Sequence, residues 1–250
     1  MTQTAPSDLQ RLIAPEALAS ASTDALKQTL LRLTEANEAE PIGQKAKLAK
    51  QLTPLFDELG RRNPTPDPRE QVPLVLGTWR SHWSTIPFQD MLPGRLREQS
   101  YQVFADNGYY ANAARYKPGS DLPLLSQVSQ WLVSLDLMIV QTYTAGPEGW
   151  AIENVGIEQG VKFGAQPFTS TVAQRWFEQA VAKAIAKDGG VAPAQPDLSG
   201  MDERSAKKFE AVFQSKPQLE HIYIDRDFRL VRSRREAKQR PSFTVAVRCP

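Results

Sequence analysis

Leu76-Gly77-Thr78-Trp79-Arg80-Ser81-His82-Trp83 is the stretch on which the fold turns. Val75, Gly77, Trp79, Ser81 and Trp83 share one face of an extended chain, and Leu74, Leu76, Thr78, Arg80 and His82 share the other, which is the two-residue period of a β-strand. Just upstream, Asn63-Pro64-Thr65-Pro66-Asp67-Pro68 cannot continue a helix, because each proline lacks a backbone N–H and clashes with the preceding turn. The architecture therefore changes across 63–72. A Gly-x-Trp on the first of several strands predicts a barrel able to hold an apolar guest, with the face carrying Trp79 and Trp83 turned inward.

Upstream of the break the period is helical. Leu26, Leu30 and Leu33 make one stripe behind the candidate N-caps Ser22, Thr23 and Asp24, predicting a helix over about 23–37. Leu48, Leu52, Leu55, Phe56 and Leu59 make a second over about 43–61, which Pro54 kinks or restarts. Residues 1–62 thus read as a helical region packed on the barrel, suited to capping one of its mouths.

Downstream the period stays at two. Asp106-Asn107-Gly108 between Gln99–Ala105 and Tyr109–Tyr116 is a hairpin signal, since Asn and Gly tolerate positive φ. A long alternating run from Trp131 to Tyr143 turns through Gly146-Pro147-Glu148-Gly149 into Trp150–Ile157. Leu219–Ile224, Phe228–Arg232 and Phe243–Val247 complete seven or more strands, an antiparallel barrel or sandwich spanning 73–250. One segment has the other period: Val172, Trp176, Phe177, Ala180, Val181, Ala184 and Ile185 predict a helical insert at about 171–187, read as a lid, a membrane-facing element or a packed connection.

Composition limits the function. Hydrophobic residues make up 41% and charged residues 23% of 250 residues, which suits a globular chain with a substantial core. Ser134 and Asp136 break the longest apolar run, which falls short of a membrane span. Met1-Thr-Gln-Thr-Ala-Pro-Ser-Asp has no basic-then-apolar leader, so a cytoplasmic location is expected. Cys249 is the only cysteine, and His82 and His221 are the only histidines, so neither an internal disulfide nor a metal site is expected. Within a net charge of +2, residues 226–248 hold eight basic side chains against two acidic ones. Arg234, Arg235, Lys238 and Arg240 are the candidates to meet an anionic surface; the plainer reading is a solvated loop.

Catalytic signatures for nucleotide, serine-hydrolase and zinc-protease chemistry do not occur in the sequence. Asp225 and Asp227 read as turn residues before they read as an acid–base pair, and neither histidine has an obvious nucleophile partner in sequence. Trp79, Trp83, Tyr101, Trp131, Trp150, Tyr223 and Phe228 are the aromatic candidates to line a ligand pocket, or else to fill the core.

Glu58-Leu59-Gly60-Arg61-Arg62-Asn63-Pro64-Thr65-Pro66-Asp67-Pro68, followed by Val75-Leu76-Gly77-Thr78-Trp79-Arg80, resembles the start of the conserved region of the plastid lipid-associated protein/fibrillin (PAP/fibrillin) family. Tyr223-Ile224-Asp225-Arg226-Asp227-Phe228-Arg229-Leu230-Val231-Arg232 resembles that family's closing motif. The resemblance implies a divergent, cyanobacterial member with a lipocalin-like antiparallel β-barrel, peripheral to the thylakoid membrane. It also implies non-enzymatic binding or sheltering of a lipid or isoprenoid, such as a pigment or quinone, without a cofactor or a nucleic-acid partner. By analogy with lipocalins, Gly77 and Trp79 on the first strand close against a late arginine, Arg229 or Arg232. Two alternatives stand beside this reading: an assembly or scaffold protein of a thylakoid membrane complex, and a lipocalin-like chromophore lyase or isomerase using Asp225, His82 or Tyr223.

Overall fold

The computed structural model describes residues 8–86, 94–117, 133–187, 216–234 and 240–250. Eight antiparallel strands follow one another in chain order: β1 (Gly77–Ser84), β2 (Arg95–Phe104), β3 (Tyr109–Tyr116), β4 (Val133–Gly146), β5 (Gly149–Phe163), β6 (Gln218–Ile224), β7 (Phe228–Arg234) and β8 (Ser242–Arg248). Strand β8 pairs back onto β1, with Trp79 opposite Arg248 and Ser81 opposite Ala246, so the sheet closes into a ring. The stretch from Gly77 and the stretch from Tyr223 are joined through β8.

The seam is uneven. Strands β4 and β5 pair along their whole length, whereas β5 meets β6 only at Trp150–Leu219 and Ala151–Gln218. Gly149, at φ +126°, makes that contact possible: a Cβ there would lie 2.9 Å from the Leu219 carbonyl oxygen. The expected turn at Asp106-Asn107-Gly108 joins β2 to β3, with Gly108 at φ +81°.

Before the ring come α1 (Asp8–Leu12), α2 (Pro15–Ser20), α3 (Thr23–Glu35), α4 (Ile42–Gln51), α5 (Thr53–Arg61) and the single turn α6 (Val72–Val75). The Ser22 hydroxyl caps α3 by accepting the Ala25 N–H. The helix expected over 43–61 stops at Leu52 and restarts with Pro54 in the first turn of α5, where a missing N–H costs nothing.

These helices do not cap a mouth of the ring. Leu26, Leu30, Leu52, Leu55, Phe56 and Leu59 lie against the outside of the wall, on Trp83, Tyr223, Phe228, Leu230 and Val245. Each fully buried leucine there contributes about 1.5–3 kcal/mol of burial. The Trp79 end is instead closed by the linker and α6, through Gln71, Val72, Leu74 and Val75. Ridge-into-wall packing needs a broad apolar surface, which the outer face of β1 and β6–β8 offers and a mouth does not.

The insert is helix α7 (Ser170–Lys187). Its Ala173, Phe177, Ala180 and Val181 lie on the outer faces of β2–β4, against Tyr101, Val103, Ala111, Met138 and Val140. Of the three readings offered for it, the structure shows a packed connection. Under the chain leading into α7, the buried Arg115 makes a two-pronged bond to Asp136 (2.6 and 2.8 Å) and also reaches the Gln166 carbonyl. Among the described residues, no helix is long and apolar enough to cross a membrane.

Candidate ligand-binding cavity

With helices covering the outer faces of β1–β4 and β6–β8, the strands' other side chains point into the ring. They surround a cavity of about 380 Å³, at the lower end of the roughly 300–1,000 Å³ usual for small-molecule pockets. Its walls are mixed. Phe104, Tyr110, Tyr116, Leu137, Ile139, Leu219 and Val231 supply apolar surface, while Ser81, Gln102, Asn112, Gln141, Asn154, His221, Arg229 and Thr244 supply polar groups.

The polar groups form one directed chain across five strands. Gln141 on β4 donates its Nε2–H to Asn154 Oδ1 on β5 (2.6 Å), and Asn112 on β3 donates its Nδ2–H to Gln141 Oε1 (2.7 Å). Gln102 on β2 donates to Asn112 Oδ1 (2.9 Å), and Arg229 on β7 donates from Nη2 to Gln102 Oε1 (2.5 Å). Every carboxamide thus turns its carbonyl toward the arginine. The guanidinium is itself stacked between Trp79 and Phe104, 4.6 and 4.7 Å from the ring centroids.

At the closed end Gln71 Oε1 accepts both Trp150 Nε1–H and His221 Nδ1–H, each at 3.0 Å, while Gln71 Nε2–H donates to the Thr65 carbonyl (2.8 Å). That arrangement assigns the histidine proton to Nδ1, leaving the Nε2 lone pair facing Arg229 Nη1 at 3.5 Å. Burial, reinforced by the Arg229 charge, holds the His221 imidazole well below its usual pKa, so it is neutral. Burial likewise pulls Arg229 down to about 9 and pushes Tyr110 up to about 12, leaving the first charged and the second protonated at pH 7.

The ring splits the aromatic candidates. Trp79 and Trp150 lie inside, in the apolar cluster with Phe104, Tyr110 and Tyr143. Trp83 and Tyr223 lie outside, under α2–α5, because β-bulges between Ser81 and Trp83 and between His221 and Tyr223 each insert one residue and reverse the facing. Phe228 is outside because its neighbour Arg229 points in. Tyr101 borders the cavity, with its ring packed against Phe168. The expectation that Trp83, Tyr223 and Phe228 line the interior is therefore corrected. Trp131 falls outside the described residues.

Of the two closing arginines, Arg229 lies over Trp79, whereas Arg232 is on the outer surface paired with Glu220. A second arginine, Arg248, also lies over Trp79 at 4.2 Å and donates to the carbonyls of Leu74 and Leu76. Gly77 at φ +100° accommodates it, since a Cβ there would approach Arg248 Nη1 to 3.1 Å. Arg234 ends β7 exposed, Arg240 borders the cavity, and Arg235 and Lys238 fall outside the described residues.

The residues weighed for catalysis do not converge on the cavity. His82 Nε2 contacts the Leu31 carbonyl of α3 at 3.1 Å, outside the wall. Asp225 is bound by Lys27 Nζ at 2.6 Å and by the Tyr223 hydroxyl at 3.0 Å, and it caps its own turn by accepting from Asp227 and Phe228. Burial alone would raise that carboxyl, but these donors hold it below its usual value. No group of three or more metal-ligating side chains occurs among the described residues.

Sequence reasoning missed the carboxamide chain. Its signal is present: Gln102, Asn112, Gln141 and Asn154 each sit mid-strand, at alternate positions from Phe104, Tyr110, Tyr143 and Ile152. Polar residues sharing a strand face with buried aromatics point to a polar interior beneath an apolar exterior. No protein-family model, curated protein or solved structure matches the chain.

Proposed function

We propose that this protein binds one small, largely apolar molecule inside its ring, as a carrier or shelter and not as a catalyst. The observation that carries the reading is the cavity of about 380 Å³ between Phe104, Tyr116, Leu137, Ile139 and Val231, closed at one end by Gln71, Trp79 and Trp150. A scaffold protein has no use for such a space, and a lyase or isomerase built on Asp225, His82 or Tyr223 has its groups on the wrong side of the wall.

The finer reading is a lipocalin-like barrel of the PAP/fibrillin type, whose guest is a lipid or isoprenoid drawn from a photosynthetic membrane. The pairing of Trp79 with Arg229, first strand against a late one, supports it. Arg234 and Arg240 then face the anionic lipid surface, each contributing about 1 kcal/mol of attraction. Organic extraction of freshly purified protein, with mass spectrometry of the extract and flotation on anionic vesicles, tests both halves. Copurifying amphiphiles and salt-sensitive flotation are expected. A clean extract together with failure to take up an apolar fluorescent dye would transfer the protein to the scaffold class.

A further inference from the structure

Resting on the cavity reading above, we infer that the guest is an anionic amphiphile, a single apolar chain ending in a carboxylate, which enters head first and seats that carboxylate on Arg229. Arg229 is 1% exposed and has no carboxylate partner among the described residues. Buried charges are ordinarily paired, and the described cavity lining holds Arg95, Arg229 and Arg240 but no aspartate or glutamate. Among the described residues, the interior is thus built around a cation with no counter-charge beside it.

Donor hydrogens on two side chains are left for it. The Arg229 Nε–H is buried with no partner among the described residues, while Nη1 and Nη2 are each engaged through one bond. The Tyr110 hydroxyl accepts from Asn112 Nδ2 at 3.3 Å, and its own hydrogen has no acceptor among the described residues. Both side chains border the cavity. Unspent donors on two side chains, one of them charged, specify an acceptor with negative charge, which a carboxylate satisfies and an alcohol or hydrocarbon does not.

The surroundings keep the cation ready. The chain from Asn154 to Gln102 directs its carbonyl ends at Arg229, and neutral His221 offers a lone pair, so the guanidinium is stabilised by dipoles that do not cancel its charge. The head-first orientation follows from depth. Arg229 stacks on Trp79 at the closed end, while Ile139, Leu137, Tyr116 and Val231 continue the wall toward the other end and accommodate the tail.

The test is calorimetric titration of the delipidated full chain with dodecanoate and, separately, with dodecanol. Wild type is expected to bind dodecanoate about tenfold or more tightly than dodecanol, as a charge-assisted bond to a buried donor implies. Arg229→Met should erase that preference while binding dodecanol as wild type does, and Tyr110→Phe, which preserves packing, should reduce it severalfold. Arg232→Gln, on the outer surface, should leave it intact. Equal binding of the two probes by wild type, or a preference that survives both Arg229→Met and Tyr110→Phe, overturns the inference and leaves the cavity reading standing. If the folded protein takes neither probe, the cavity reading falls as well.

Discussion

Two buried arginines on opposite sides of the same wall have been treated differently. Arg115, outside and beneath the segment leading to α7, is 5% exposed and is answered by Asp136 through two bonds, with Phe168 5.5 Å from its guanidinium. Arg229, inside, is 1% exposed and among the described residues is answered by a carboxamide, a neutral imidazole and two aromatic rings, with no carboxylate. The outer site is electrostatically complete and serves packing. The inner one carries an unneutralised charge into a cavity, which is an expense a fold accepts only where something else will bind.

The comparison predicts opposite responses to mutation. Asp136→Ala strands Arg115 as an unpaired buried cation and should cost about 3–5 kcal/mol in urea unfolding, the largest effect expected. Arg229→Met should do no harm and should raise stability by about 1–4 kcal/mol, because a desolvated charge is replaced by a thioether that packs on the same rings. A loss from Arg229→Met as large as that from Asp136→Ala would break the contrast, making Arg229 a structural residue like Arg115.

Acid sharpens it further. His221 has an unperturbed pKa of 6.5 but stays neutral when folded, so below pH 6.5 the unfolded chain takes up a proton that the native one refuses. Stability should therefore fall by about 1.4 kcal/mol for each pH unit between 6.5 and the much lower folded value. His221→Asn, which retains a donor toward Gln71, should flatten that slope between pH 6.5 and 5 in thermal melts. The smallest effect belongs to the outer rim: Arg232→Ala removes a half-exposed pair with Glu220 and should shift stability by no more than about 0.2–1 kcal/mol.

Much of the fold was legible because its signals are local. The prolines at 64, 66 and 68, the Asn107-Gly108 turn, the stripe through Leu26 and Leu30 and the alternation in β3 and β4 each reflect what a few neighbouring residues do to the backbone. The linker was legible as a break but not as a plug. Gln71, which ties Trp150 and His221 together, looks like any polar loop residue until three distant segments meet at it.

The candidate site was legible only in part, and Trp79 and Trp83 show why. Both are fully buried and four residues apart on an alternating strand, so periodicity places them on one face. The bulge after Ser81 sends Trp83 out to the helices and leaves Trp79 inside the ring, at its closed end. Whether a bulge forms depends on the partner strand β8, not on the residues that flank it.

From its own residues the chain determined that a helical front is followed by an antiparallel β-structure, that a proline-rich joint separates them, and that large aromatics are buried, since these follow from backbone propensity and hydrophobic period. Only the tertiary structure decided which side of the wall is the inside. Closure of β8 on β1 gathers Gln102, Asn112, Gln141 and Asn154 from four strands around Arg229. A buried charge acquires its meaning from which groups surround it in space, and that information exists only once the ring has closed.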